Sequence, residues 1–366
     1  MELKELQEHI RTLVTLEETE APVVSVYMNL QKDAAELREF TKRRVALLKE
    51  SLPQEQLSHF QRATERIGRY VAEELDKTAQ GAAIFARNGT SPFFLALQFK
   101  VSPPNMIAVG SHPNIYHLVE LKDTYHRYVV VVMNDRGVRI LEVNLGEVTK
   151  QLWTAQPTLR EQIGQTWTRE QYQHRRGLQG ETFMQEEIKV LDRVMSAGGH
   201  THLILAGESA WRLRNALPHH LSAKFVDVVD ISRRASVQDI VTRTIAAFVE
   251  KEEQESLEMV DRLLREIKTD GLAVAGSEAT LDALQFGVAD VLVMAQSFDP
   301  EFHVKGEMVK LAEQHRCKIE TVNRSDALDR LGGVGCLLRY RTPFPENSSL
   351  HQYDGDGITL RTSSGE

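Results

Sequence analysis

Apolar and polar positions alternate along this chain in three stretches of regular pattern. In the first, Val23 to Leu30 (VVSVYMNL) is β-branched and roughly alternating, which predicts a strand. A helical pattern follows from about Ala34 to Leu75 and breaks at Pro53, where the missing amide and the ring clash stop a helix. GAAIFARNG and SPFFLALQFKV read as two strands joined at Asn88-Gly89, a pair that tolerates the backbone of a tight hairpin turn. This is the pattern of an α+β unit.

The second stretch opens with YVVVVMNDRGVRILEV, Tyr128 to Val143, two strands around Asn134-Asp135-Arg136-Gly137. Met184, Ile188, Leu191 and Met195 then recur at helical spacing, closed by Gly198-Gly199. HLILAG (His202 to Gly207) is a short apolar run of the buried-strand kind, and FVDVVDIS (Phe225 to Ser232) is a further strand. A long helix is predicted from about Val237 to Lys268, and the charge run EKEEQES in its middle predicts a solvated face. Strand and helix alternation makes this an α/β region.

From about Asp270, GLAVAGSEATLDALQFGVADVLVM reads as strand, helix and strand, with Ser277 as N-cap and Gly287 as stop. CKIETV and LGGVGCLLRYR add two short strands. The expected organisation is an α+β domain over 1–125, an α/β domain over 126–268 and a small α/β sandwich over 269–342. A polar, Gly- and Ser-rich tail over 343–366 is expected to be mobile.

Charge changes this picture in one place. The protein is acidic, at formal net −8, which argues against binding nucleic acid over its whole surface. Against that background, REQIGQTWTREQYQHRR gathers Arg160, Arg169, His174, Arg175 and Arg176 with Trp167, Tyr172, several glutamines and the pair Gly164-Gln165. After Ile163 it has almost nothing aliphatic to bury. Arginine forks hold phosphates, aromatic rings stack on bases, glycine lets the backbone approach closely, and glutamine offers both amide ends. A solvated helix between loops is the alternative for this segment. Lys42-Arg43-Arg44 forms a second basic spot in the first region, for which a solvated helix face is again the alternative.

Other chemistry is thin. No apolar run is long enough for a membrane span, and the charged N-terminal stretch lacks the apolar core of a signal peptide, so a cytoplasmic protein is expected. Cys317 and Cys336 lack metal-ligand spacing and are expected as reduced core thiols. Gly332-Gly333-Val334-Gly335 precedes a strand rather than opening a helix, so it reads as a tight loop and not a dinucleotide site. His219-His220 reads as a surface pair rather than metal ligands, and Ser209 lacks the flanking glycines of a hydrolase elbow. Asp227 and Asp230, three apart on a strand, fall on opposite faces. No standard catalytic constellation stands out, and neither cofactor nor metal is expected.

Several ordered motifs together resemble the archaeal and eukaryotic class I release factor and Pelota superfamily, in its bacterial branch. GSEATLDALQFGVADVLVM, LAEQHRCKIETV and LGGVGCLLRYR resemble its C-terminal domain; LAGESAWR, FVDVVDIS and RYVVVVMNDRGVRILEV resemble its central domain. VVSVYMNL with the helices and GAAIFARNG resembles the first domain more loosely, so the likeness runs from about residue 20 to 342. The resemblance implies a monomeric, three-domain, tRNA-mimicking protein that binds the ribosomal A site. Its first domain would approach the decoding centre, its central domain the peptidyl-transferase centre, and its third domain, near Phe286, a translational GTPase.

In the release factors a Gly-Gly-Gln loop after the opening hairpin promotes peptidyl-tRNA hydrolysis. Here that position falls at Ile163-Gly164-Gln165, ahead of Arg169, Arg175 and Arg176. A β-branched residue disfavours positive φ, so Ile163 departs from the pattern where a tight loop is needed, and Gly177-Leu178-Gln179 shares the defect. Thr41-Lys42-Arg43-Arg44 stands near the place of the stop-codon motif without reproducing it. Three readings follow. One is a non-hydrolytic A-site factor like the bacterial Balon group, which occupies idle ribosomes with elongation factor Tu as partner. Another is a peptidyl-tRNA hydrolase acting through Gln165 with Gly164 in termination, rescue or quality control. The third is a protein of the same fold with a role away from the ribosome.

Overall fold

The computed structural model describes residues 2–134, 137–155, 169–232, 234–298 and 302–340, and of 153–155, 169–180 and 302–303 the backbone alone. Asp135-Arg136 of the expected hairpin turn and the tail over 343–366 lie outside the described residues.

The first sheet is built from α1 (Leu3–Val14), β1 (Val23–Asn29), α2 (Ala34–Ser51), α3 (Gln54–Glu73), β2 (Gly81–Arg87), β3 (Phe93–Phe99), β4 (Met106–Gly110) and α4 (Tyr116–Thr124). Its antiparallel order is β3-β2-β1-β4. β1 is buried on both faces. Val24, Val26 and Met28 meet Phe60, Ala63 and Ile67 of α3, while Tyr27 faces the layer formed by α1 and α4. The break at Pro53 is local: Leu52, ahead of the proline, takes the extended backbone that the ring imposes on its neighbour. α2 has no fully buried side chain and rests only partly buried apolar groups on the sheet.

The central sheet holds β5 (Tyr128–Asn134), β6 (Gly137–Asn144), β7 (Glu147–Ala155), α5 (Arg169–Gly198), β8 (His202–Ala206), α6 (Ala210–Ala216), α7 (His219–Ser222), β9 (Phe225–Val229) and α8 (Val237–Lys268). Its order is β7-β6-β5-β8-β9, an antiparallel meander continued by the parallel strands β8 and β9. Val129, Val131 and Met133 pack under α5 and α6, and Tyr128 and Val130 pack under α8. Helices on both faces explain the unbroken apolar run of β5.

α8 begins at a capping box. Ser236 Oγ accepts from the Asp239 amide at 3.1 Å, and Asp239 Oδ2 accepts from the Ser236 amide at 3.1 Å. Ser236→Ala is expected to cost about 1 kcal/mol, read as a lower urea midpoint at unchanged slope; an unmoved midpoint would show the cap to be dispensable. The charge run in α8 is only partly a solvated face. Glu252 and Ser256 are buried there, because the helix leaves the central sheet and continues beneath the third one, where Ser256 Oγ donates to Glu320 Oε1 at 2.7 Å.

The third sheet comprises β10 (Ala273–Ala275), α9 (Ser277–Gln285), β11 (Ala289–Ala295), α10 (Phe302–Gln314), β12 (Lys318–Val322), α11 (Asp326–Arg330) and β13 (Val334–Leu338), in the order β10-β13-β11-β12. The N-cap of α9 is Gly276, at φ 86°, one residue ahead of the expected Ser277. Gly287, at φ 67°, ends the helix as expected, in a conformation that suits glycine. Cys317 and Cys336 are buried free thiols, and burial pushes the Cys317 thiol up to about 12.

α1 and α4 share one apolar core with this third sheet. Asp123 Oδ2 accepts from the amide and hydroxyl of Thr321 at 2.7 and 2.9 Å, Gln296 Nε2 donates to Glu120 Oε1 at 2.6 Å, and Lys122 pairs with Glu313. Among the described residues no helix is long and apolar enough to cross a membrane.

Candidate functional site

The two ends of the central sheet carry different chemistry. Ala155, the last residue of β7, pairs with Gly137, so β7 ends at the same end of the sheet as β5. β5, β8 and β9 run parallel, which brings the loops after β8 and β9 to the same end. There Ser209 donates its amide to the Met133 carbonyl at 3.2 Å. A Cβ on Gly207 would stand 2.7 Å from that same oxygen, so only glycine allows the loop to lie against β5. Just beyond, Trp211 opens α6 with its ring 64% exposed, next to the exposed Arg212. A large exposed aromatic beside a guanidinium suits stacking on a base, and it adds a candidate that sequence reasoning passed over.

Of the expected site residues, Arg160, Ile163, Gly164, Gln165 and Trp167 lie outside the described residues. Arg169, Tyr172, His174, Arg175 and Arg176 fall on helical backbone, because α5 starts well before the apolar periodicity at Met184. Helical spacing places Arg169, Tyr172 and Arg176 on one face at i, i+3 and i+7. Gly177-Leu178-Gln179 also lies inside α5, so it forms no loop. Among the described side chains, α5 packs from Phe183 onward.

Lys42, Arg43 and Arg44 are exposed on α2, which belongs to the first sheet and not to the central one. Arg43 pairs with Glu39 at 3.5 Å across one turn, an exposed contact of little energetic weight that leaves the cation accessible. Phe286 is exposed at the end of α9. His219 and His220 stand in the short α7 rather than a loop, and His220 Nε2 meets Asp192 Oδ1 at 2.9 Å on the surface. Ser209 is the N-cap of α6 and its side chain makes no capping bond.

The opposite end of the sheet gathers buried titratable groups. His126 precedes β5, His202 opens β8, and Glu252 and Glu255 come from α8. His126 and His202 stand edge-on to Phe248 with ring centres 5.1 and 5.4 Å away. Burial, then the nearby carboxylates of Glu255, Asp123 and Glu320, pushes the Glu252 carboxyl up to about 8. Burial and Glu320 push Asp123 up to about 7, and burial holds His126 below its ordinary value. Lys318 Nζ, 2.8 Å from Glu320 Oε2, is a neighbouring cation.

Residues 113–249 match the sequence model of bacterial archaeo-eukaryotic release factor family 10, and residues 253–342 match that of eRF1 domain 3. The chain is release-factor-like over both regions. It is 21% identical over 287 residues to the Pelota homologue of Pyrococcus furiosus, covering 71% of this chain and 76% of that one. It is 24% identical over 366 residues to peptide chain release factor subunit 1 of Pyrobaculum aerophilum, covering 92% and 89%. Among solved structures, Dom34 of S. cerevisiae, a translation termination-like factor of RNA quality control that interacts with Hbs1, matches with TM-score 0.43 and 14% identity over 72% of this chain and 80% of that one. The motifs that carried the resemblance in the central and third regions fall inside the two matched segments.

Proposed function

We propose that this protein is a cytoplasmic, ribosome-binding translation factor that occupies the A site without hydrolysing peptidyl-tRNA, in the manner of a Balon-like hibernation factor. The observation that carries the non-hydrolytic part is Ile163 ahead of Gly164-Gln165, in a chain otherwise release-factor-like over its central and third regions. Hydrolysis by a positioned water requires placement to a fraction of an ångström, and a β-branched residue opposes the tight turn that would supply it. The segment from Arg160 to Arg176 then serves as an RNA contact. Arg169, Arg175 and Arg176 hold phosphates, and Tyr172, Trp167 and Trp211 stack on bases. Lys42, Arg43 and Arg44 contact RNA from the first sheet, and the face around Phe286 meets a translational GTPase, elongation factor Tu.

A second reading is a peptidyl-tRNA hydrolase acting through Gln165 with Gly164 in termination, rescue or quality control, and the likeness to a peptide chain release factor subunit 1 supports it. One experiment separates the two. The full chain is incubated with vacant ribosomes and with ribosomes carrying peptidyl-tRNA, and both pelleting and peptide release are followed. Binding to both without release is the expected result. Release that disappears on Gln165→Ala would move the protein to the hydrolytic reading, and absence from both pellets would sink ribosome binding altogether.

A further inference from the structure

His126, His202 and Glu252 come from three separate elements, and one ligand atom from each lies within 4.8 Å of the others. Their hydrogen bonds do not close. His126 Nδ1 is 2.9 Å from the Asp123 carbonyl oxygen, which only accepts, and 3.4 Å from Glu252 Oε2, so Nδ1 carries the proton and Nε2 presents a lone pair. That lone pair faces His202 Nδ1 at 3.3 Å. His202 Nε2 in turn lies 3.2 Å from Glu255 Oε1 and 3.4 Å from Glu252 Oε1.

A neutral His202 has one proton for these two sides. With the proton on Nδ1, its Nε2 lone pair faces two carboxylate oxygens. With the proton on Nε2 and the Thr201 hydroxyl, 2.9 Å away, donating to Nδ1, His126 Nε2 is left without a donor. Glu252 Oε1 is buried and accepts no hydrogen bond. The junction therefore takes one further positive partner, a proton or a metal ion, and the atoms that need it, imidazole nitrogen and carboxylate oxygen, are metal ligands.

We propose that His126, His202 and Glu252 hold a zinc ion at the junction of the central and third sheets. Two imidazoles and a carboxylate form a donor set that suits zinc, and the ring nitrogens not needed for the metal already have their outer partners, the Asp123 carbonyl and the Thr201 hydroxyl. Zinc–ligand bonds of about 2.0–2.2 Å require ligand atoms roughly 3.3–3.5 Å apart, so side-chain rotation of about an ångström closes the site. Its effect is to fasten α8 and the third sheet to the start of β5 and β8.

The test uses the full chain, stripped with a chelator, loaded with zinc chloride and dialysed, with retained zinc measured by mass spectrometry. One zinc ion per chain is expected. Affinity should fall on the order of 100-fold or more in His202→Gln and in Glu252→Gln, while the surface variant His220→Gln retains the ion. Circular dichroism checks that the variants are folded. X-ray absorption on the zinc-loaded parent protein, which needs no variant, should show imidazole scattering and no sulfur. No retained zinc, a sulfur shell, or retention unchanged by both substitutions would overturn the proposal.

Discussion

Chains carrying Arg169→Glu, Arg175→Glu and Arg176→Glu together are expected to stay in the supernatant when ribosomes are pelleted, whereas the parent chain sediments with them. All three residues lie on the helical backbone at the start of α5. A protein of net −8 is repelled by RNA except through such patches, so reversing one is not made good elsewhere. Each phosphate contact contributes about 0.7–0.9 to the fall of log affinity with log salt, so loss of three should also flatten that dependence by about 2–3 for any binding that survives. Circular dichroism and the urea midpoint of the triple variant check that it folds like the parent. Lys189→Glu, exposed further along the same helix, is the charge control and should pellet normally. A triple variant that pellets like the parent would show that this segment does not contact ribosomal RNA.

Phe248→Ala is expected to remove about 3–5 kcal/mol of stability, the range for emptying a buried aromatic site. Its side chain is fully buried, its ring stacks on Tyr128 at 4.5 Å, and the edges of His126 and His202 rest against it. Tyr128, His126 and His202 all lean on this one ring, so its removal leaves three neighbouring rings to rearrange. The urea midpoint should drop at unchanged slope, and a loss below about 2 kcal/mol would show that the neighbouring rings close the gap.

Much of the fold is legible from period alone. β5, β8 and α8 appear where alternation and helical spacing put them, and Pro53 and Gly287 stop their helices for reasons of backbone chemistry. The failures have physical causes. α1 sits among charges, although Leu6, Ile10 and Leu13 keep a helical stripe that buries almost completely. The charge run in α8 misleads because the helix passes from one core to another: Ser256 meets Glu320 of β12, and Glu252 meets His126 and His202, all far away along the chain. The candidate site is legible only in part. Gly164-Gln165 and the arginines are visible as a motif, but the helical backbone at Arg169 is not, since nothing apolar marks that part of α5. Trp211 escapes notice because exposure is a property of the fold. His126 and His202 stand 76 residues apart, a separation no local ligand spacing reveals.

The union of α1 with the third sheet also bears on how the molecule is made. Leu6, Ile10 and Leu13 share a core with residues of α10, β11 and β13, yet α1 is synthesised long before any of them. During elongation those side chains have only part of their final surroundings, so the nascent protein carries an unfinished apolar surface on α1 until translation has passed Leu338. Contacts of such long sequence separation are slow to form, and the closing of α1 onto α10 is expected among the last events of folding.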